Sequence, residues 1–169
     1  MACVEGVFYV CRLIITMRLP VEELLIEADV KYQIIELEAQ AISVDDVIKY
    51  SKESINPEEI CKTILVRHKK QYHALFLRGA DQIDFKKLKT VIGKSSIASR
   101  EKVREISGVD AGAVCPLLLG VPVMVDKRVL DLEKLNFGSG NHLYGVEIKS
   151  GALGRVLEYR VADFAAEIQ

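Results

Sequence analysis

The spacing of apolar residues changes along this chain, and each change marks an element. Cys61 to His68 and Tyr72 to Arg78 are two β-rich runs, and His68 to Gln71 between them predicts a hairpin. Lys31 to Glu38 reads as a strand through Tyr32, Ile34, Ile35 and Leu37. Val121 to Val125 is an apolar strand of the buried type, Leu143 to Ile148 reads as another, and Val161 to Phe164 as a last edge strand. Helical spacing alternates with these runs. Pro20 opens a helix whose first turn carries Glu22 and Glu23. Ser43 caps a helix from Val44 to about Lys52, with Asp45 and Asp46 in its first turn. Asp84 caps a helix that puts Phe85, Leu88 and Val91 on one face. Ser99 caps Arg100 to Ser107, which Gly108 ends, and Leu153 to Glu158 reads as helical. Asn56-Pro57 marks a turn, and Phe137 begins a glycine-rich turn at Gly138-Ser139-Gly140. The order of elements is mixed. It predicts an α/β or α+β domain with a mixed sheet, not a regularly alternating parallel fold.

With 169 residues, half of them apolar and 28% charged, the chain suits one soluble globular domain over 1–169. It has no apolar run long enough to span a bilayer. Val7 to Met17 is apolar but is interrupted by Arg12 and preceded by Glu5, which makes a poor signal peptide. A buried first helix or strand and a cytoplasmic location are the expectation. The four cysteines, Cys3, Cys11, Cys61 and Cys115, form no Cys-x-x-Cys pair and have no histidine at zinc-ligand spacing. Neither a zinc site nor a disulfide framework is expected. The net charge of −1 hides an asymmetry: residues 61–104 hold 12 Lys/Arg against 3 Asp/Glu, while residues 1–60 hold 5 against 12. A basic middle in a neutral chain suits local contact with phosphates; solvated helix faces are the plainer reading.

The candidate chemistry centres on Gly112-Ala113-Val114-Cys115-Pro116, a Gly-x-x-x-Pro loop between a predicted helix and a predicted strand. Glycine lets backbone N–H groups approach a ligand, and proline fixes the turn. Lys62 heads the apolar run Thr63-Ile64-Leu65-Val66, where it can lie along the sheet and direct its ammonium into a pocket. Asp126 ends Val121 to Val125, where it can orient a ligand or merely cap Lys127-Arg128. Gly93-Lys94-Ser95 imitates the end of a phosphate-binding P-loop, but the motif needs glycine at 88 and the chain has Leu88. Cys115 with His142 raises a rival reading, a thiol hydrolase. Flanked by Val114 and Pro116, the cysteine reads more readily as a small apolar filler.

Lys62 to Val66, then Phe85-Lys86-Lys87-Leu88, Ser107-Gly108, Gly112 to Pro116 and Val123-Met124-Val125-Asp126 resemble, in order and spacing, the YbaK-like aminoacyl-tRNA deacylases. These are freestanding relatives of the editing domain inserted in bacterial prolyl-tRNA synthetases. The resemblance is strongest over 32–169; residues 1–20 are atypical of the family. It implies one mixed α/β domain with a central curved sheet. It implies hydrolysis, without a cofactor or metal, of the ester of a mischarged tRNA such as Ala- or Cys-tRNA(Pro). The tRNA acceptor end would be the partner, with an aminoacyl-tRNA synthetase as an open second one, and no membrane. The resemblance places catalytic roles on Lys62, Gly112 and Asp126, and substrate contacts on Ala113, Pro116, Gly140 and His142. Lys62 would hold the terminal phosphate or ribose, backbone N–H groups around Gly112 would stabilise the oxyanion, and Asp126 would shape the amino-acid pocket. The alternative is a non-catalytic tRNA-binding or synthetase-associated module of the same fold.

Overall fold

The computed structural model describes residues 18–168. The apolar stretch at 7–17, Cys3 and Cys11 lie outside the described residues. The chain runs α1 (Pro20–Glu27), β1 (Tyr32–Glu36), α2 (Val44–Tyr50), β2 (Cys61–His68), β3 (Gln71–Arg78), β4 (Asp81–Ile83) and α3 (Phe85–Ile92). It continues through β5 (Ser96–Ile97), α4 (Arg100–Ser107), β6 (Val123–Asp126), β7 (Lys134–Asn141), β8 (Tyr144–Lys149), α5 (Leu153–Val156), β9 (Arg160–Ala162) and β10 (Ala165–Glu167).

The predicted hairpin forms, pairing Cys61 with Arg78 at one end and His68 with Gln71 at the other. Around it a mixed sheet grows in the order β5-β2-β3-β6-β9, antiparallel at β2–β3 and β2–β5, parallel at β3–β6 and β6–β9. A second sheet, β1-β8-β7, is antiparallel throughout. The main core lies between the two. Leu65, Ala74, Phe76 and Val125 from one sheet meet Leu135, Phe137, Val146 and Ile148 from the other, with Val21 and Leu25 of α1. Phe76 and Phe137 touch edge to face, ring centroids 5.7 Å apart, a favoured aromatic geometry. Strand alternation sends Val66, Leu75, Leu77 and Met124 to the opposite face, where Leu88 of α3 and Phe164 cover them. The five-stranded sheet is thus buried on both faces, which is why its strands read as continuous apolar runs. The outer face of the small sheet carries Ile35 and Leu37, packed against Val47 and Tyr50 of α2.

Capping follows the sequence closely. Ser43 accepts from the Asp46 N–H, Asp84 from those of Lys86 and Lys87, and Ser99 from that of Lys102; Gly108 closes α4 at φ +75°. Gly93-Lys94-Ser95 follows the end of α3 and leads into β5, and its glycine packs against the His68 ring instead of forming a phosphate loop. Two readings need correction. Gly138-Ser139-Gly140 is not a turn but the interior of β7, where a bulge between Gly138 and Asn141 shifts the register. The last edge strand sits at Arg160–Ala162, and the β4–β10 pair was not legible, because strands this short carry no periodicity.

Candidate active site

The two larger sheets bridge at Ile60 and Asn136. Beside that bridge opens a cavity of about 220 Å³. Ile35 of β1, Leu37 just beyond it, and Val44 and Val47 of α2 form its aliphatic side; Lys62 and Thr63 of β2, Gly112, Asn136 of β7 and His142 supply polar groups, as do Ser43, Asn141 and Tyr144. Its lining includes no carboxylate among the described residues.

Half-buried at the head of β2, Lys62 has an Nζ that donates to the Gly79 carbonyl at 2.9 Å. Burial lowers its pKa, and the nearby Asp81 carboxylate pulls it partly back. Asp81 itself is clamped by both arms of Arg78, at 2.8 and 2.9 Å. The lysine is therefore a positioned cation at the cavity edge, not a solvated surface charge.

Gly112 has φ +97°, and a Cβ added there would lie 2.7 Å from Ile42 Cα and 2.9 Å from the Ile42 carbonyl oxygen. Only glycine satisfies both the dihedral and the close approach of these two backbones. The Ala113 N–H is spent on the Asp110 carbonyl, while no backbone bond among the described residues claims that of Gly112. Behind the loop, the Gly140 N–H donates to the Ala113 carbonyl at 2.8 Å. A Cβ on Gly138 would meet the Val114 carbonyl oxygen at 2.7 Å. The bulge in β7 and its glycines exist to seat this loop. His142 reaches across the same region, with Nδ1 3.4 Å from the Ala41 carbonyl and Nε2 3.9 Å from Asp110.

Lys62, Gly112 and His142 are thus brought together around one cavity. Ala113, Pro116 and Gly140 are not part of its lining: Ala113 and Pro116 are buried behind the loop, and Gly140 anchors it. Asp126 is also outside the lining. It is fully buried, its Oδ1 accepts from the Arg128 N–H at 3.1 Å, and its Oδ2 accepts from those of Phe164 and Ala165 at 2.9 and 2.8 Å. The capping alternative describes it: the carboxylate holds the C-terminal segment against β6 and shapes no amino-acid pocket. Cys115 is buried, and burial pushes its thiol up to about 12, so it carries no thiolate at neutral pH. That removes the basis for the thiol-hydrolase reading. Asn136 was missed in the sequence. A polar residue between Leu135 and Phe137 was the available signal, hidden by the expectation of a turn at 137–140.

No helix among the described residues is long and apolar enough to cross a membrane. The family model for the aminoacyl-tRNA editing domain matches residues 39–156, most of the chain. A proline–tRNA ligase from Halalkalibacterium halodurans is 34% identical over 79 residues, covering 45% of this chain and 14% of the ligase. The chain thus corresponds to a small part of that relative. Among solved structures, hypothetical protein APE2540 superposes with a TM-score of 0.78 at 22% identity, covering 86% of this chain and 99% of that one. A candidate trans-editing enzyme for prolyl tRNA synthetase superposes with a TM-score of 0.74 at 20% identity, covering 86% and 94%. At such identities the two structures show the shared fold. Together with the family match over residues that carry both Lys62 and the Gly112 loop, they lead to one conclusion: this chain belongs to the aminoacyl-tRNA editing domain family.

Proposed function

We propose that this chain is an aminoacyl-tRNA deacylase that hydrolyses the ester of a mischarged tRNA. Alanine and cysteine on tRNA(Pro) are the esters that the sequence resemblance nominates. The observation that carries the reading is the Gly112 N–H, unclaimed by the loop's own backbone, at the edge of a cavity that also holds Lys62. An aminoacyl ester is already activated, so a strong side-chain nucleophile is not required. Water adds to the ester carbonyl, its proton relayed through the vicinal ribose hydroxyl towards the ribose oxygen that will leave. The negative charge that develops on the carbonyl oxygen is met by the Gly112 N–H. The ribose oxygen then leaves, regains a proton and frees the tRNA end. Lys62 holds the terminal phosphate or ribose at the mouth, and His142 flanks the substrate. Asp126 has no part in this chemistry.

Discrimination of small apolar side chains by binding alone is worth only about 1–3 kcal/mol per methylene. A second pocket that destroys what fits it supplies the remainder. The test is release of labelled amino acid from tRNA(Pro) carrying alanine, cysteine or proline. Wild type should release one wrong amino acid selectively, and Lys62→Ala should lose that release. Full activity in Lys62→Ala would remove the lysine from the mechanism. Salt-dependent tRNA binding without any release would mark a binding module of this fold.

A further inference from the structure

One buried polar side chain in the cavity wall has no partner. Asn136 is 3% exposed, and neither its Oδ1 nor its Nδ2 finds a hydrogen bond among the described residues. Thr63 Oγ1 is also buried and unmet, but Thr63 lies between Cys61 and Leu65 and pairs with Phe76, so it faces the core between the sheets. Buried polar groups are nearly always satisfied, and one left unmet costs the fold its desolvation. Asn136 therefore points to a ligand that completes it.

Strand alternation fixes where Asn136 points. Leu135 and Phe137 on either side pack into the core between the sheets, so Asn136 faces the other way. Gly138, two residues on along that face, pairs with Gly145, which pairs with Ile35 of the aliphatic wall. The backbone of Ala113 and Val114 sits over Gly138. Asn136 therefore lies between the Gly112 loop and Ile60, on the cavity side of the small sheet.

The rest of the wall narrows the ligand chemistry. A cationic side chain would meet Lys62 and no carboxylate. A plain hydrocarbon would leave the carboxamide unmet. A hydroxyl both donates and accepts, as does the Asn136 amide. We propose that Asn136 is the specificity-determining residue for a small amino-acid side chain bearing a hydroxyl. Serine and threonine esters then rank above the hydrocarbon esters of the same size, a different order from the one the sequence resemblance implies. The inference rests on the reading of the cavity as the aminoacyl site.

The experiment measures binding of non-hydrolysable 3′-amide analogues, seryl- against alanyl-adenosine and threonyl- against valyl-adenosine. Ester release from the corresponding charged tRNAs is followed in parallel. Wild type should favour each hydroxyl analogue by at least about tenfold, because a site built to bond a hydroxyl rejects the analogue that lacks it. Asn136→Leu, which keeps the branching and removes the amide, should erase the gap. Asn136→Ala should erase it as well and carries the test if the leucine variant does not fold. Equal affinities in wild type, or a gap that survives both substitutions, would overturn the assignment. A gap in binding with no ester hydrolysed would sink the deacylase reading and leave the anchor standing.

Discussion

Lys62 and Gly112 show how much of the site depends on single atoms. Burial lowers the lysine's pKa, so the folded chain releases that proton at a lower pH than the unfolded chain does. The charged side chain thus costs stability wherever it is protonated in both states. That cost fades as pH rises from its folded pKa towards the unfolded value of about 10.4. Lys62→Met should therefore show a Tm, relative to wild type, that falls as pH rises towards that unfolded value. A pH-independent difference in thermal melts would show that the lysine keeps its ordinary pKa. Gly112→Ala forces a Cβ to within 2.7 Å of the Ile42 backbone at a φ of +97°. The strain, of order 1–3 kcal/mol, must be relieved by shifting the loop. Deacylation should fall at least about a hundredfold while the protein stays folded, since a small displacement of an oxyanion donor is costly.

At the level of elements, the cavity is held both by contacts remote from it and by the cap at its rim. Asp126 joins the end of β6 to Phe164 and Ala165, 38 and 39 residues away in sequence. Asp126→Ala leaves buried N–H groups unpaired and should cost about 2–4 kcal/mol in denaturant unfolding. At low temperature, where the variant remains folded, turnover should stay near wild type; loss of turnover there would return Asp126 to the site. Ser43 and Asp46 close the first turn of α2 reciprocally, and α2 forms one side of the cavity. A Ser43→Ala change should cost about 1 kcal/mol and loosen that side first.

On the scale of the whole molecule, charge is segregated. Arg67, Lys69, Lys70, Lys94 and Arg100 of the basic middle are all exposed, around the β2–β3 turn and the strand that pairs with it. Lys62 lies five residues back along β2 from Arg67, about 16 Å at strand rise. If the acceptor end of a tRNA reaches the cavity, its phosphates can run along this region. Binding should then weaken steeply with salt, and Lys69→Ala and Lys94→Ala should each reduce the slope by about one unit. Slopes unchanged in both variants would place the RNA on another face.

The chain by itself determined the helices with side-chain caps, the central hairpin and the mixed fold class, because capping and apolar periodicity act over a few residues. It also determined the Gly112 loop and the position of Lys62, since both signals are local: a glycine before a fixed turn, and a cation heading an apolar strand. What Asp126 does was decided only by the tertiary structure. A carboxylate after a strand reads the same whether it faces a ligand or two distant N–H groups. The role of Gly138 and Gly140 was decided there too, since the backbone they accommodate lies more than twenty residues away. So was Asn136, whose missing partners can be seen only once every neighbour is in place. Local preference writes the elements; which polar groups remain unmet, and hence where a ligand belongs, emerges only when the sheets close on one another.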